Sequence, residues 1–135
     1  MATWNETVEQ FRRVTDKLGK RIDDGIFETV VCLNMLGIST TSSCEGHLDW
    51  GTPYPWINIE PEIEQKYQLH RYLLQFYEER PIDFECILVW HGYKIRPQGA
   101  VFSPLLSSAE QERKLKMYQG EMAEFTAFLK SLLVE

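Results

Sequence analysis

The chain has 135 residues, of which 44% are hydrophobic and 13% aromatic, and its formal net charge is −6. This length and apolar content predict one domain, residues 1–135, with a single hydrophobic core. The acidic balance disfavours nucleic acid as a partner, because phosphate binding requires a cationic surface. The amino terminus lacks a basic and apolar leader, and no apolar run is long enough to cross a bilayer. We therefore expect a cytoplasmic protein without a membrane partner.

Three cysteines, Cys32, Cys44 and Cys86, are an odd number at wide spacing, which does not indicate a disulfide framework. Cys32 and Cys86 lie in or beside apolar runs, so we expect both to be small buried core residues. Cys44 differs because its neighbours in the sequence are polar. Cys44 is therefore the candidate for a catalytic or metal-binding thiol.

The amino-terminal part of the chain predicts two helices. Apolar residues at helical spacing share one face over residues 5–18, and Leu18 is the last of them. A break with candidate caps follows at residues 23–25, and a more apolar helix then continues to Gly37. We expect the second helix to be the more buried of the two.

Four segments have the pattern of strands. Residues 38–43 are rich in β-branched and hydroxyl side chains, and residues 56–60 alternate between apolar and polar side chains. Residues 86–90 form a continuous apolar run of strand length, as expected for a strand covered on both faces. Residues 98–99 are typical of a turn and lead to residues 100–103, which we interpret as the fourth strand.

Two longer helices complete the predicted fold. The third ends near residues 80–81, and its spacing assigns His70 to the apolar face. The fourth begins with a capping box at Ser107 and carries an apolar seam as far as Val134. That seam allows packing on the chain's own core or pairing into a homodimer. The order ααββαββα favours an α+β fold, with a roughly four-stranded, mostly antiparallel sheet and about four packed helices.

Residues 40–50 concentrate hydroxyls, a thiol, carboxylates and an imidazole, and we interpret this stretch as the functional site. Cys44 and His47 have a Cys-x-x-His spacing that suits metal ligands, and His91, His70 or Asp49 would complete the set. The segment also suits catalysis, with His47 or His91 activating the Cys44 thiolate while backbone N–H groups around Gly46 stabilise negative charge. Cys44 and His47 are therefore the catalytic candidates in any enzymatic interpretation.

A third interpretation is a site for a small polar ligand, in which polar groups combine with a flat aromatic wall. The candidate binding residues are Ser42, Ser43, Glu45, Gly46, Asp49, Trp50, His91, Tyr93 and Arg96. The fourth interpretation is structural, with the same polar side chains satisfying a turn in which Gly46 has a positive φ. We take ligand binding as the leading prediction, and the sequence identifies no cofactor.

The segment Gly37–His47 resembles one found in small uncharacterised bacterial and phage proteins, of the form Gly-Ile-x-Thr-x-x-Ser-Cys-x-Gly-His. This resemblance implies a recurring module without implying an activity. Residues 42–46 are also similar to a Ser-Ser-Cys-x-Gly segment of archaeal-type wybutosine-synthesis methyltransferases, which usually have arginine at the position of His47. The second resemblance implies methyl transfer in tRNA modification as one form of the enzymatic alternative.

Overall fold

A computed structural model describes residues 2–16, 18–78, 80–81 and 83–133 of the chain. Within these ranges the elements are α1 (Trp4–Arg12), α2 (Asp24–Met35), β1 (Thr40–Cys44), β2 (Trp56–Ile59), α3 (Ile63–Glu78), β3 (Leu88–His91), β4 (Lys94–Pro97), a 3-10 helix (Gln98–Leu105) and α4 (Ser108–Leu133). This confirms the predicted α+β class and the order of the α-helices and strands. No helix in the described ranges is both long and apolar enough to cross a membrane.

The strands form one antiparallel sheet in the order β1-β2-β4-β3. Cys44, at the end of β1, lies opposite Trp56 at the start of β2, and Thr40 lies opposite Ile59. β3 forms the other edge, where His91 lies opposite Lys94 of β4. Because β1 is an edge strand, it pairs with β2 along one edge, and its other edge faces the segment that joins α1 to α2.

The hydrophobic core brings one face of the sheet together with helices α2, α3 and α4. Ile57 and Ile59 of β2 are both buried, as expected because side chains two residues apart lie on the same face of a strand. Ile95 of β4, Phe125 and Leu129 belong to the same buried cluster. Burial of each such side chain contributes about 1.5–3 kcal/mol, which is enough to make α4 an integral part of the domain.

The apolar seam of α4 is part of this core. Its buried members are Leu115, Tyr118, Met122, Phe125 and Leu129. Of the two arrangements that the seam allowed, the structure has the one in which the helix packs on its own chain. The Ser107 half of the predicted capping box is present, since Ser107 Oγ accepts a hydrogen bond of 3.2 Å from the Glu110 N–H. The predicted end at Val134 lies outside the described residues.

The first helix is shorter than predicted. It ends at Arg12, and Leu18 is 93% exposed rather than part of a buried face. The Asp16 carboxylate accepts hydrogen bonds from the N–H groups of Leu18 and Lys20, at 2.8 and 2.9 Å. These bonds fold the chain into a turn, because an aspartate that binds nearby backbone N–H groups competes with helix formation.

The fourth strand was predicted in the wrong place. It comprises Lys94–Pro97, while residues 100–103 belong to the 3-10 helix. The chain reverses earlier than expected because Gly92, with φ +66°, allows a two-residue turn directly after β3. Pro97 then ends the strand, and the Gly99 N–H donates to the carbonyl oxygen of Glu85 at 2.8 Å.

The buried face of α3 also differs from the prediction. Leu69, Leu73 and Phe76 are its buried residues, whereas His70 is exposed. The helix carries two apolar stripes, and the second one, with Ile63 and Tyr67, is more than 60% exposed at both residues. His70 is therefore neither a core histidine nor a neighbour of the candidate site.

Candidate functional site

The candidate site begins where β1 leaves the sheet. Cys44 is the last residue of the strand and is buried, with 6% of its surface exposed. Gly46 then turns the chain with φ +94°, as the structural interpretation expected. A Cβ atom at Gly46 would lie 2.6 Å from Leu115 Cδ1 and 2.9 Å from the carbonyl carbon of Tyr54. The turn therefore requires glycine both for its φ and for its close contacts.

Asp23 contributes a carboxylate to this turn from a distant part of the sequence. It is the N-cap residue of α2, yet its side chain makes no capping hydrogen bond to that helix. Instead, Asp23 Oδ2 accepts from the Glu45 N–H at 3.0 Å and lies 3.1 Å from His47 Nε2. Lys20 Nζ lies 3.4 Å from Asp23 Oδ1. Asp23 therefore joins the α1–α2 segment to the end of β1.

Glu45 supplies the cap that Asp23 does not. Its Oε1 atom accepts a hydrogen bond of 2.8 Å from the N–H of Gly25, near the start of α2. A helix begins with N–H groups that lack partners within the helix, so this acceptor stabilises α2 from outside. The carbonyl oxygen of Glu45 also accepts from Gln119 Nε2 of α4 at 3.0 Å. Glu45 is thus a structural residue of the turn, and its carboxylate is already in use.

We expect Glu45→Ala to lower the free energy of unfolding by about 1 kcal/mol, because the Gly25 N–H loses its acceptor. Urea denaturation would measure this loss. Glu64→Ala is the matched control, since Glu64 is exposed in the first turn of α3 and should change stability by less than about 0.5 kcal/mol. Equal losses in the two variants would contradict the capping role.

Three potential ligand atoms converge at this point. One atom each from Asp23, Cys44 and His47 lies within 4.8 Å of the other two. The Cys44 sulfur accepts a hydrogen bond from the Gly46 N–H at 3.4 Å. Burial raises the pKa of the Asp23 carboxyl. Hydrogen bonds from Glu45 and His47 and the charge of Lys20 together lower it by more than burial raises it, so the pKa lies below its ordinary value. The carboxyl group is therefore an anion at neutral pH.

The His47 ring is held in place by Trp50. The two rings stack with their centroids 3.8 Å apart and an angle of 18° between their planes. Lys20 Nζ also lies over the Trp50 ring, 3.4 Å from its centroid. The backbone N–H of His47 donates to the carbonyl oxygen of Thr52 at 2.8 Å, which closes the loop. These contacts limit the orientations that the imidazole can adopt.

A cavity of about 350 Å³ lies beside β1, under the segment that joins α1 to α2. The residues of β1 that line it are Thr40, Thr41, Ser42, Ser43 and Cys44. Its aromatic residues are Phe11, Trp50 and Trp56. The cavity therefore combines hydrogen-bonding groups with flat apolar walls, as the ligand-binding interpretation required.

A second depression, of about 630 Å³, lies on the other side of the loop that contains Trp50. His47, Asp49, Trp50 and Arg96 all line it. Asp49 and Arg96 are therefore near the candidate site, although they border this depression and not the cavity beside β1. Of the predicted binding residues, Ser42, Ser43 and Trp50 line the cavity, and Gly46 shapes the turn.

His91 and Tyr93 do not take part in this site. Both are exposed in the hairpin between β3 and β4. β2 and β4 lie between β1 and β3, which separates the two edge strands by about 14 Å at ordinary strand spacing. The third residue of the cluster is therefore Asp23, and the expected set of Cys44, His47 and His91 is not formed.

The other two thiols lie outside the candidate site. Cys32 and Cys86 are buried, and burial raises the pKa of each to about 11. Both groups are therefore protonated at neutral pH, as expected for inert core residues. Of the three cysteines, Cys44 is the one that lines the cavity beside β1.

Comparison with known proteins assigns no family to this chain. No family model, no curated protein and no solved structure matches it. The resemblances of the segment Gly37–His47 therefore remain predictions. Function has to be inferred from the geometry of the site itself.

Proposed function

We propose that this protein binds a small organic molecule in the cavity beside β1. The observation that carries the proposal is the composition of that cavity, because four hydroxyl-bearing residues of β1 line a space that aromatic residues also border. A volume of about 350 Å³ suits a small ligand, because ligand sites usually measure about 300–1,000 Å³. Such sites are mainly apolar with a few fixed polar groups, as this one is.

The charged residues of the cavity indicate what kind of ligand would fit. Lys20 is paired with Asp23, and the Asp16 carboxylate is occupied by backbone N–H groups. Arg21 also lines the cavity, and within the described residues it forms no ion pair. A planar molecule with hydroxyl groups and one acidic or strongly accepting group would satisfy both Arg21 and the strand hydroxyls.

The second candidate function is an enzyme that uses Cys44 and His47. The convergence of these two side chains with Asp23 favours it, since a thiol, an imidazole and a carboxylate are the groups of several catalytic sites. Methyl transfer belongs to this alternative through the sequence resemblance alone. Turnover of a bound compound that stops in Cys44→Ser, while binding of the compound persists, would favour the enzyme over a simple binding protein.

The proposal can be tested by screening a library of small fragments by NMR on ¹⁵N-labelled, chelator-treated protein. We expect the amide signals of residues 40–44 to shift together, because weak fragments collect where a polar and apolar cavity already exists. Ser42→Phe should fill part of the cavity and weaken fragment binding by about tenfold or more, equivalent to about 1.4 kcal/mol.

Ser131→Phe is the matched control, because Ser131 is exposed near the end of α4 and outside the cavity. It should leave fragment affinity unchanged. A screen in which fragments bind elsewhere, or in which Ser42→Phe binds them as well as the unmutated chain, would rule out the cavity as the binding site.

A further inference from the structure

We infer that Asp23, Cys44 and His47 form a binding site for one zinc-type transition-metal ion. Each residue offers one ligand atom, and the three atoms lie within 4.8 Å of one another. The inference depends on this geometry and is independent of whether an organic ligand occupies the neighbouring cavity. His91, the third ligand expected from the sequence, has no part in it.

The spacing of the three atoms is close to that of a tetrahedral zinc site. Zinc bonds of about 2.0–2.3 Å place neighbouring ligand atoms roughly 3.3–3.6 Å apart. His47 Nε2 and Asp23 Oδ2 are already 3.1 Å apart, and every pair in the cluster is within 4.8 Å. The Asp23–His47 pair is therefore already close to the spacing that a shared metal ion requires.

The groups around the cluster orient its members as the surroundings of metal ligands do. The Gly46 N–H donates to the Cys44 sulfur, which holds that sulfur at the turn. The Glu45 N–H and Lys20 bind Asp23, and Trp50 stacks on His47. Supporting contacts of this kind fix ligand orientation before the metal arrives.

The position of Asp23 is a separate observation that favours a ligand. An N-cap aspartate normally accepts a hydrogen bond from its own helix, but Asp23 makes none, and Glu45 accepts from Gly25 instead. The chain thus uses a glutamate from another segment to stabilise α2, which leaves the Asp23 carboxylate beside Cys44 and His47.

A metal site explains the geometry better than a Cys-His-Asp catalytic triad. In a triad the two ring nitrogens of histidine face different partners, the nucleophile on one side and the carboxylate on the other. Here a single nitrogen of His47 converges with both the Cys44 sulfur and a carboxylate oxygen of Asp23. Convergence of one atom from each residue is the requirement for coordination.

The ligand types select the class of metal. Thiolate and imidazole favour Zn²⁺ and related transition metals, whereas Mg²⁺ and Ca²⁺ prefer oxygen ligands alone. Three protein ligands leave a coordination position for water or substrate, which is typical of catalytic zinc and not of closed structural sites. Asp23 and Cys44 also line the cavity beside β1, so solvent and small molecules can reach the site.

The test uses the full chain without a histidine tag, treated with a chelator and titrated with Co²⁺ and then Zn²⁺. We expect one equivalent of Co²⁺ to produce a thiolate-to-cobalt charge-transfer band, and one equivalent of Zn²⁺ to abolish it. Asp23→Asn, Cys44→Ser and His47→Gln should each weaken Zn²⁺ binding by about 100-fold or more, because loss of even a supporting partner weakens metal sites about 10- to 100-fold. Circular dichroism would verify that each variant is folded.

The matched controls are Asp49→Asn, Cys86→Ser and His91→Gln, which change the same residue types outside the cluster. They should leave both the charge-transfer band and Zn²⁺ affinity unchanged. If a cluster variant fails to fold, alkylation of the unmutated chain still tests whether Zn²⁺ binds Cys44. One equivalent of Zn²⁺ should slow the reaction of Cys44 with iodoacetamide at least tenfold.

Absence of stoichiometric Co²⁺ binding, or Zn²⁺ binding lost in His91→Gln but retained in the cluster variants, would overturn the inference. So would alkylation of Cys44 at the same rate with and without Zn²⁺. The fragment screen is performed on metal-free protein, so failure of either proposal leaves the other one standing.

Discussion

Gly46→Ala is expected to lower the free energy of unfolding by about 3 kcal/mol. Alanine at this position would have to adopt a φ of +94°, which costs an L residue about 1–2 kcal/mol. Its Cβ would also approach the Tyr54 carbonyl carbon to 2.9 Å and the Pro55 nitrogen to 3.1 Å, and backbone atoms cannot move aside as a flexible side chain can. Overpacking of this kind adds about 1–3 kcal/mol. Urea denaturation would measure the total.

Gly92→Ala separates these two contributions. Gly92 also has a positive φ, of +66°, but a Cβ there would meet no atom within 4 Å. We expect Gly92→Ala to cost about 1 kcal/mol, the conformational part alone. If both variants lose the same stability, the close contacts at Gly46 do not constrain the turn, and the rigid placement of Cys44 and His47 would have to come from other contacts.

Phe125→Lys is expected to abolish cooperative folding. Phe125 is completely buried, and its ring lies 5.2 Å from that of Phe76 and 6.3 Å from that of Phe128. Loss of such a ring costs about 3–5 kcal/mol, and burial of an unpaired ammonium group adds several more. The sum is comparable with the whole stability of a domain, about 5–15 kcal/mol. Circular dichroism during thermal denaturation should show no cooperative transition.

Phe84→Lys is the matched control, because Phe84 is 67% exposed and its replacement should change stability by less than about 0.5 kcal/mol. The Phe125 experiment also distinguishes the two uses of the α4 seam. A seam reserved for a homodimer would give a Phe125→Lys variant that is folded but monomeric by analytical ultracentrifugation. That outcome would contradict the packing of α4 in the chain's own core.

Local patterns in the sequence predicted most of the fold. The alternation in residues 56–60 identified β2, and the long apolar seam with a cap at Ser107 identified α4. These elements depend on period and capping, which neighbouring residues specify. The boundaries at Leu18 and at β4 were wrong because each depends on a turn, one formed by the Asp16 carboxylate and the other by Gly92.

The candidate site could be predicted in part. Cys44, Gly46 and His47 were identified because they lie together in the sequence and differ chemically from their surroundings. Asp23 was missed, since it lies more than twenty residues earlier and an aspartate before a helix is ordinarily a cap. The repeated acid at residues 23–24 was the available signal, because one N-cap position requires only one capping side chain.

The sequence by itself determined the α+β class, the order of the α-helices and strands, and the segment that carries both a thiol and an imidazole. Those features follow from local periodicity, capping and the special φ of Gly46. Only the tertiary structure decided which apolar stripe of α3 is buried, because that choice depends on the sheet against which the helix packs. It also brought Asp23 to Cys44 and His47 and kept His91 away, because strand order sets the distances between residues that are far apart in the chain.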